Sequence, residues 1–170
     1  MSKQRQGFTL LEILVVLFIV SVMTGIAVIN LPGFAKTDSF DYESQRLKAV
    51  ISMLREEAIM QSNDYGLQIK RLDAGESYGY EFYVYDAAYQ DWQELTELPF
   101  SARSLPVEIS LSLKVEGDDV QLQGEQAPSV LILSSGEVTP FTLLIAHRDN
   151  AVLNKTLESD GYSDVDWQED

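Results

Sequence analysis

The hydrophobic positions are distributed unevenly, with one long unbroken run near the start of the chain. Residues 1–7 are polar, whereas residues 8–31 are almost all apolar and contain a single ionisable side chain, Glu12. As an α-helix rising ~1.5 Å per residue, this run would be about 36 Å long. That length crosses the hydrocarbon core of a bilayer with some tilt. The pattern predicts a membrane-spanning helix over residues 8–31.

A second helical pattern follows the run, and it is amphipathic rather than uniformly apolar. Residues 32–63 are expected to form the amphipathic half of the N-terminal helix. Within this range, apolar residues recur every three or four positions from residue 38 to residue 63, while most charged residues lie elsewhere around the helix. Asp38 or Ser39 is expected to cap its start, and the polar stretch 62–64 to end it. Pro32 and Gly33 precede it and predict a bend, because proline removes a helical hydrogen bond. The predicted apolar stripe comprises Phe40, Leu47, Val50, Ile51, Leu54 and Ala58.

The remaining chain, residues 64–170, alternates between apolar and polar positions in short segments separated by turn residues. This alternation is typical of half-buried strands. The predicted strands are 65–72, 78–85, 107–115, 129–133, 141–146 and 151–157, with a return strand from Val120. The predicted turns are 73–75, 117–119 and 134–137. The expected fold class is α+β, with a long helix packed on an antiparallel β-sheet or β-sandwich domain.

Charge and cysteine content narrow the classes of function. The net charge is −15, from 12 Lys and Arg against 27 Asp and Glu. A surface this acidic repels phosphate backbones, so a nucleic acid partner is not expected. The chain has no cysteine, which excludes disulfides, thiolate metal sites and thiol nucleophiles.

Gly7 stands directly before the apolar run, where helix propensity does not explain it. The preceding segment carries Lys3 and Arg5 and lacks the apolar stretch of an ordinary secretory signal. Its positive charge is expected to keep this end in the cytoplasm. These features predict a processing site after Gly7. Removal of residues 1–7 would lower the basic count from 12 to 10 and change the net charge to −17.

Glu12 is the most informative residue of the apolar run. A carboxylate in a membrane segment costs about 2.5 to 3.5 kcal/mol on insertion scales and normally implies a partner. The run 8–31 contains no Lys, Arg or His. One interpretation is that Glu12 reaches back to the cytoplasmic interface. The other is that its partner comes from another subunit.

The segment GFTLLEILVVLFIV closely resembles the N-terminal motif of type IV pilins and type II secretion pseudopilins. The resemblance implies cleavage by a prepilin peptidase between Gly7 and Phe8, and N-methylation of Phe8. It also implies that Glu12 faces the N-terminal ammonium of a neighbouring subunit. Such a pair would favour the correct register between subunits, because each charge resists burial alone.

The layout after the helix resembles the H-type minor pseudopilins. The similar stretches are REEAIMQSNDYGLQI and LILSSGEVTPFTLLI, with a weaker likeness around residues 86–92, whereas residues 94–124 match no recognised pattern. The resemblance implies a subunit near the tip of the periplasmic pseudopilus, resting in the inner membrane before assembly. Its expected partners are the other minor pseudopilins, the major pseudopilin and the prepilin peptidase. The alternative is a minor pilin of a type IV pilus, acting in assembly, adhesion or DNA uptake.

No segment indicates an enzyme, a cofactor or a small-molecule substrate. His147 lacks a nucleophile motif or a second ligand near it in sequence and is expected to be an ordinary strand-end residue. The acidic end of the chain lacks the calcium-loop spacing and is expected to be solvated; its residues are Asp160, Asp164, Asp166, Glu169 and Asp170. An aromatic cluster is expected to place about half its members in the core; it comprises Tyr78, Tyr80, Tyr83, Tyr85, Tyr89 and Trp92.

Overall fold

The computed structural model describes residues 10–29, 32–72, 76–122 and 127–168. It contains two compact units, the first ending at Ser39 and the second beginning at Phe40. Helix α1 spans Leu10–Ile29 and helix α2 spans Pro32–Gln61. Proline suits the first position of a helix, where its missing N–H would have no helical partner. The expected start of α2 at Asp38 or Ser39 is therefore wrong, because the helix runs through both positions.

Helix α1 has exposed apolar side chains over residues 10–23. Every residue from Leu10 to Met23 is exposed. Among the described residues, no helix is both long enough and apolar enough to cross a membrane. The predicted membrane segment 8–31 begins and ends at residues outside the described part, and the span stays a prediction.

The second unit contains ten short strands in the described part of the chain, arranged in two antiparallel sheets. In chain order, the strands are β1 Tyr65–Leu72, β2 Ser77–Asp86, β3 Asp91–Glu94, β4 Arg103–Ser104, β5 Ile109–Val115, β6 Asp118–Asp119, β7 Val130–Ile132, β8 Phe141–His147, β9 Asn150–Ser159 and β10 Asp166–Trp167. The first sheet has the order β3-β2-β1-β7, with β4 also paired to β2, and the second has the order β10-β9-β8-β5-β6. The expected α+β class is confirmed.

The hairpin between β1 and β2 forms the centre of the first sheet. Its register pairs Tyr65 with Val84 and Leu72 with Ser77. Gly79 allows β4 to approach β2 closely, since a Cβ at this position would lie 2.8 Å from the carbonyl oxygen of Arg103. The predicted strand 65–72 is confirmed at both ends. The predicted turn 73–75 lies outside the described residues.

The second sheet corrects one predicted hairpin. The turn after β5 is made by Glu116 and Gly117, which both have positive φ, 52° and 92°, as a two-residue hairpin requires. The return strand β6 therefore begins at Asp118 instead of Val120. The predicted start of the preceding strand at Val107 is also wrong, because this side chain is 54% exposed and lies ahead of β5.

One hydrophobic core joins α2 to both sheets. All six residues of the predicted apolar stripe of α2 are buried, which confirms its orientation. They share the core with Leu67 and Phe82 of the first sheet and with Leu113 and Leu143 of the second. Burial of such side chains contributes roughly 1.5 to 3 kcal/mol each. The core therefore orients α2 and determines which of its faces points outward.

Candidate assembly surfaces

Helix α1 combines an exposed apolar surface with one carboxylate. Glu12 lies in its first turn, where the positive end of the helix dipole favours a negative charge. The hydroxyl of Ser21 donates to the carbonyl oxygen of Leu17 at 2.8 Å, so this polar group is bonded within its own helix. The predicted processing residues Gly7 and Phe8 lie outside the described part.

The predicted bend at Pro32 and Gly33 is not tested by the structure. Helix α2 includes both residues in its first turn. Residues 30 and 31, which join the two helices, lie outside the described part. The bend therefore stays a prediction.

The start of the second unit holds a partly buried charge cluster that sequence periodicity missed. Most charged residues of α2 were expected away from the core, but Glu43 is buried. It accepts two hydrogen bonds from Arg103, one from Nε at 3.0 Å and one from Nη2. The bonds to Glu43 raise the pKa of Arg103. Arg46 donates to the hydroxyl of Tyr80 and to the carbonyl oxygen of Pro99. The cluster joins α2 to the segment between β3 and β5.

Burial is the largest influence on the pKa of the Tyr80 hydroxyl, and it raises that pKa. The ring also contacts Phe82 edge to face, with centroids 5.6 Å apart. Of the aromatic cluster, Tyr80 alone is fully buried; Tyr89 is 78% exposed and the other members are half-buried. The expectation that half the cluster enters the core is wrong. Two of the half-buried members, Tyr85 and Trp92, contact one another edge to face, with ring centroids 5.2 Å apart.

The described carboxylates of the acidic segment near the end of the chain are exposed to solvent, as expected, and two of them also pair with basic residues of α2. Arg55 donates to Asp164 at 2.5 Å and to the carbonyl oxygens of Gly136 and Tyr162 at 2.6 and 2.7 Å. Lys48 forms an ion pair with Asp166. The carboxylates remain exposed to solvent, yet their partners hold the segment in place. Glu169 and Asp170 lie outside the described residues.

Two aspartates of this segment have shifted pKa values. The hydrogen bond from Lys48 is the main cause of the lowered pKa of Asp166. Asp160 accepts backbone N–H bonds from Ser163 and Tyr162, and these lower the pKa of its carboxyl. Asp160 therefore forms a turn, the usual role of aspartate in a loop. The ion pairs are exposed and are expected to weaken with salt.

A third charged cluster lies on the first sheet. Lys70 on β1 lies 2.5 Å from a carboxylate oxygen of Glu81 on β2, and the hydroxyl of Tyr83 donates to the same carboxylate at 2.5 Å. Burial alone would raise the pKa of Glu81, but the bonds from Lys70 and Tyr83 outweigh it and lower the value. The cluster connects two neighbouring strands.

His147 ends strand β8, as expected. It is buried, and its Nδ1 accepts the backbone N–H of Asp149 at 3.2 Å. Within the described ranges, no group of three or more His, Asp or Glu residues could hold a metal ion. The charged clusters described above consist of ion pairs and hydrogen bonds that connect elements of the second unit.

Comparison with known proteins first defines the class. Residues 2–28 match the prokaryotic N-terminal methylation motif. The fold resembles the minor pseudopilin EpsH from the type 2 secretion system of Vibrio cholerae, with a TM-score of 0.61 and 23% identity over 76% of this chain and 96% of that one. It also resembles the solution structure of Escherichia coli GspH, with a TM-score of 0.60 and 19% identity over 82% of this chain and 94% of that one. The fold is pilin-like.

Sequence relatives then define the family. Residues 43–161 match the family of type II transport protein GspH, and this range includes the unassigned segment 94–124. The type II secretion system protein H of Pseudomonas aeruginosa is 37% identical, over 94% of either chain. That of Aeromonas hydrophila is 28% identical, over 89% of this chain and 87% of the relative. The chain belongs to the GspH family and is a minor pseudopilin of the type II secretion system.

Family membership has three consequences. It indicates a structural subunit, which interacts with other components of the pseudopilus. Together with the methylation motif, it implies an inner-membrane anchor and a periplasmic domain. These comparisons give no support to the alternative of a type IV pilus.

Proposed function

We propose that this minor pseudopilin is cleaved between Gly7 and Phe8, methylated on the new amino terminus, and assembled near the tip of the pseudopilus. Before assembly it rests in the inner membrane as a single-pass protein with its N-terminus in the cytoplasm. Prepilin peptidase processes it, and the other minor pseudopilins and the major pseudopilin are its partners. It has no catalytic role and binds no nucleic acid or small-molecule substrate.

The observation that carries this proposal is the exposed apolar surface of α1. The side chains from Leu10 to Met23 are exposed along the helix, and apolar area in water is unfavourable by roughly 25 cal/mol per Å². A lipid bilayer covers such a helix before assembly. The helices of neighbouring subunits cover it in a filament. The surface is thus suited to both states of a pilin-like subunit.

Glu12 gives this surface a register. A carboxylate at the start of α1 interacts favourably with a neighbour's terminal ammonium where water is scarce. The gain depends on good geometry, because both ions lose hydration. A subunit that is shifted along the filament axis would leave the carboxylate poorly placed. Pairing with a neighbour's Phe8 ammonium therefore selects one axial position.

Processing and assembly are tested in a secreting bacterium that lacks its own copy of the gene. The full chain is produced as the parent, Gly7→Ala and Glu12→Ala, with Ser21→Ala as a matched control in the same helix. The intact mass reports loss of residues 1–7 and addition of one methyl group. Quantitative mass spectrometry of isolated pseudopili reports incorporation.

The parent and Ser21→Ala are expected to be processed and incorporated equally. Gly7→Ala is expected to keep residues 1–7. Glu12→Ala is expected to be processed and reach the membrane, yet to fall about tenfold or more in pseudopili, the effect of losing ~1.4 kcal/mol. Incorporation of Glu12→Ala at the parent level would contradict the pairing. Normal processing of Gly7→Ala would contradict the cleavage site.

A further inference from the structure

One tyrosine ring of the second unit lies close to two arginines, one from each sheet. Arg71 on β1 is the cross-strand partner of Tyr78 on β2, and its guanidinium carbon lies 5.6 Å from the centroid of the ring. Arg148, which follows β8 in the other sheet, lies at the same distance from this ring. Both arginines are exposed. We call these three residues the arginine site.

A cavity of about 440 Å³ lies beside the ring. It forms where the chain after β6 crosses from one sheet to the other. The N–H of Val120 donates to the carbonyl oxygen of Leu113 in β5, whereas the carbonyl oxygen of Leu122 accepts a bond from β1. Arg71 lines the cavity on one side and Leu111 of β5 on the other. Among the described residues that line it, none is Asp or Glu.

Strand β5 directs backbone hydrogen-bonding groups towards this cavity. In an antiparallel sheet, successive residues of a strand direct their N–H and C=O groups to opposite edges. The bond from Val120 shows that Leu113 uses the edge opposite β8. Leu111 lies two positions away and lines the cavity, so its N–H and C=O point to the same edge. An extended chain in the cavity can therefore pair with β5 as an added strand.

The arginine site concentrates positive charge on a surface that is otherwise acidic. Arg71 and Arg148 lie at 5.6 Å from one ring centroid, so their guanidinium carbons are separated by no more than about twice that distance. Like charges repel, whereas a carboxylate beside them is attracted by both. Six other basic side chains form ion pairs with carboxylates of the chain, namely Lys48, Arg55, Lys70, Arg103, Lys114 and Lys155.

Guanidinium groups recognise carboxylates by their geometry as well as by their charge. The N–H donors of each group lie in one plane and match the two oxygens of a carboxylate. Attraction to the face of Tyr78 restricts where each guanidinium lies. A side chain that is already restricted loses less entropy when a ligand binds. The arginine site is therefore suited to carboxylate groups.

We propose that the arginine site and the adjoining cavity bind an acidic segment of another protein in an extended conformation. The backbone of this segment pairs with the edge of β5 at Leu111, and its carboxylates lie at Arg71 and Arg148. The inference goes beyond the proposed function, since it requires neither cleavage after Gly7 nor a position near the tip.

Charge restricts the partner to a short segment. The net charge is −15, so a broad phosphate surface such as that of a nucleic acid would be repelled by most of the domain. Charges in solution are screened over about 8 to 10 Å at physiological salt. A narrow acidic chain between the two arginines therefore interacts mainly with them. The cavity also falls within the usual range of about 300 to 1,000 Å³ for ligand sites.

Binding of two defined peptides to the purified full chain in detergent tests this proposal. One labelled pentapeptide alternates threonine with glutamate, and its matched partner alternates threonine with glutamine. Fluorescence anisotropy measures both affinities for the parent, Arg71→Gln and Arg148→Gln. The control is Lys114→Gln, which also removes one positive charge but from an exposed lysine of β5 that does not line the cavity.

The parent is expected to bind the glutamate peptide at least about tenfold more tightly than the glutamine peptide. Each arginine variant is expected to lose about tenfold in affinity for the glutamate peptide. Lys114→Gln should stay within about twofold of the parent, since an isolated surface charge contributes little. Urea denaturation checks that the variants remain folded, and the exposed Arg148 decides if Arg71→Gln unfolds.

Four results would overturn the proposal. These are equal affinity for the two peptides, no binding of the glutamate peptide, an equal loss with Lys114→Gln, and displacement of the peptide by the same concentration of inorganic phosphate or of a short DNA oligonucleotide. The assay uses no filament and no processing step. A negative result would therefore leave the proposed cleavage and assembly unaffected, and failed assembly would leave the arginine site unaffected.

Discussion

The two helices of this protein show opposite ways of placing apolar side chains. Along α1, every residue from Leu10 to Met23 is exposed. Along α2, residues such as Leu47 and Leu54 are buried beneath the sheets, at 1% and 0% exposure. The sheets of the same chain cover the buried stripe of α2, whereas residues 10–23 of α1 are exposed, and we propose that lipid or other subunits cover them. Changes in α2's buried stripe should therefore affect stability, and changes in α1 should affect assembly.

The largest expected effect on stability comes from the buried stripe. Leu54→Ala leaves a cavity in the core and should lower the free energy of unfolding by about 2 to 5 kcal/mol. Met53→Ala, at the neighbouring exposed position, should change it by less than about 0.5 kcal/mol. Urea denaturation of the full chain in detergent measures both. Similar losses of unfolding free energy in the two variants would contradict the expected difference between the buried and the exposed face of α2.

The second largest effect on stability is expected from the partly buried ion pair between Glu43 and Arg103. Glu43→Ala leaves Arg103 without its two bonds and should lower the free energy of unfolding by about 1.5 to 3 kcal/mol. The exposed acid Glu56 on the same helix supplies the control, because Glu56→Ala should change it by less than about 0.5 kcal/mol. Both values come from the same urea titration. A loss below about 0.5 kcal/mol for Glu43→Ala would show that the pair does not stabilise the unit.

The contact between the acidic segment, residues 160–168, and helix α2 should depend on Arg55. Arg55→Ala removes two hydrogen bonds to this segment and one to the carbonyl oxygen of Gly136. The free energy of unfolding should fall by about 1 kcal/mol, since Asp164 is exposed and screened. Amide exchange over residues 160–168 should rise, while exchange in β1 stays at the parent rate. Unchanged exchange in this segment would mean that other contacts hold it. High salt should produce a weaker version of the same change.

The smallest expected effect is on how the stability of the fold depends on pH. The bonds from Lys70 and Tyr83 lower the pKa of Glu81 below its ordinary value of 4.5. A lowered folded pKa contributes stability that is present above the ordinary value and is lost as pH falls through the folded value. Glu81→Gln should therefore flatten the loss of stability below about pH 4.5, measured by thermal unfolding at several pH values. A variant with the full acid dependence of the parent would exclude this contribution.

Local patterns in the sequence predict those features that depend on neighbours in the chain. The buried stripe of α2 follows from its period of three and four residues, and β1 follows from its alternation. The N-terminal motif, with Gly7, Phe8 and Glu12, is recognised from contiguous residues and leads to the family that the comparisons establish. In each case the signal lies within one short segment.

Features made by distant partners could not be predicted in this way. Glu43 is buried because Arg103, sixty positions later, reaches it. The acidic segment docks because Lys48 and Arg55 lie opposite it only in the folded chain. Strands β4 and β10 have two residues each, too few to show a period, and they exist through pairing with β2 and β9.

The most direct test of a minor pseudopilin placed near the tip is its ratio to the major pseudopilin in isolated pseudopili of different length. The filaments are lengthened by raising production of the major subunit, and quantitative mass spectrometry gives the ratio. A subunit near the tip should fall in proportion as the filament grows. A ratio that stays constant with length would place the chain along the whole filament and contradict the account.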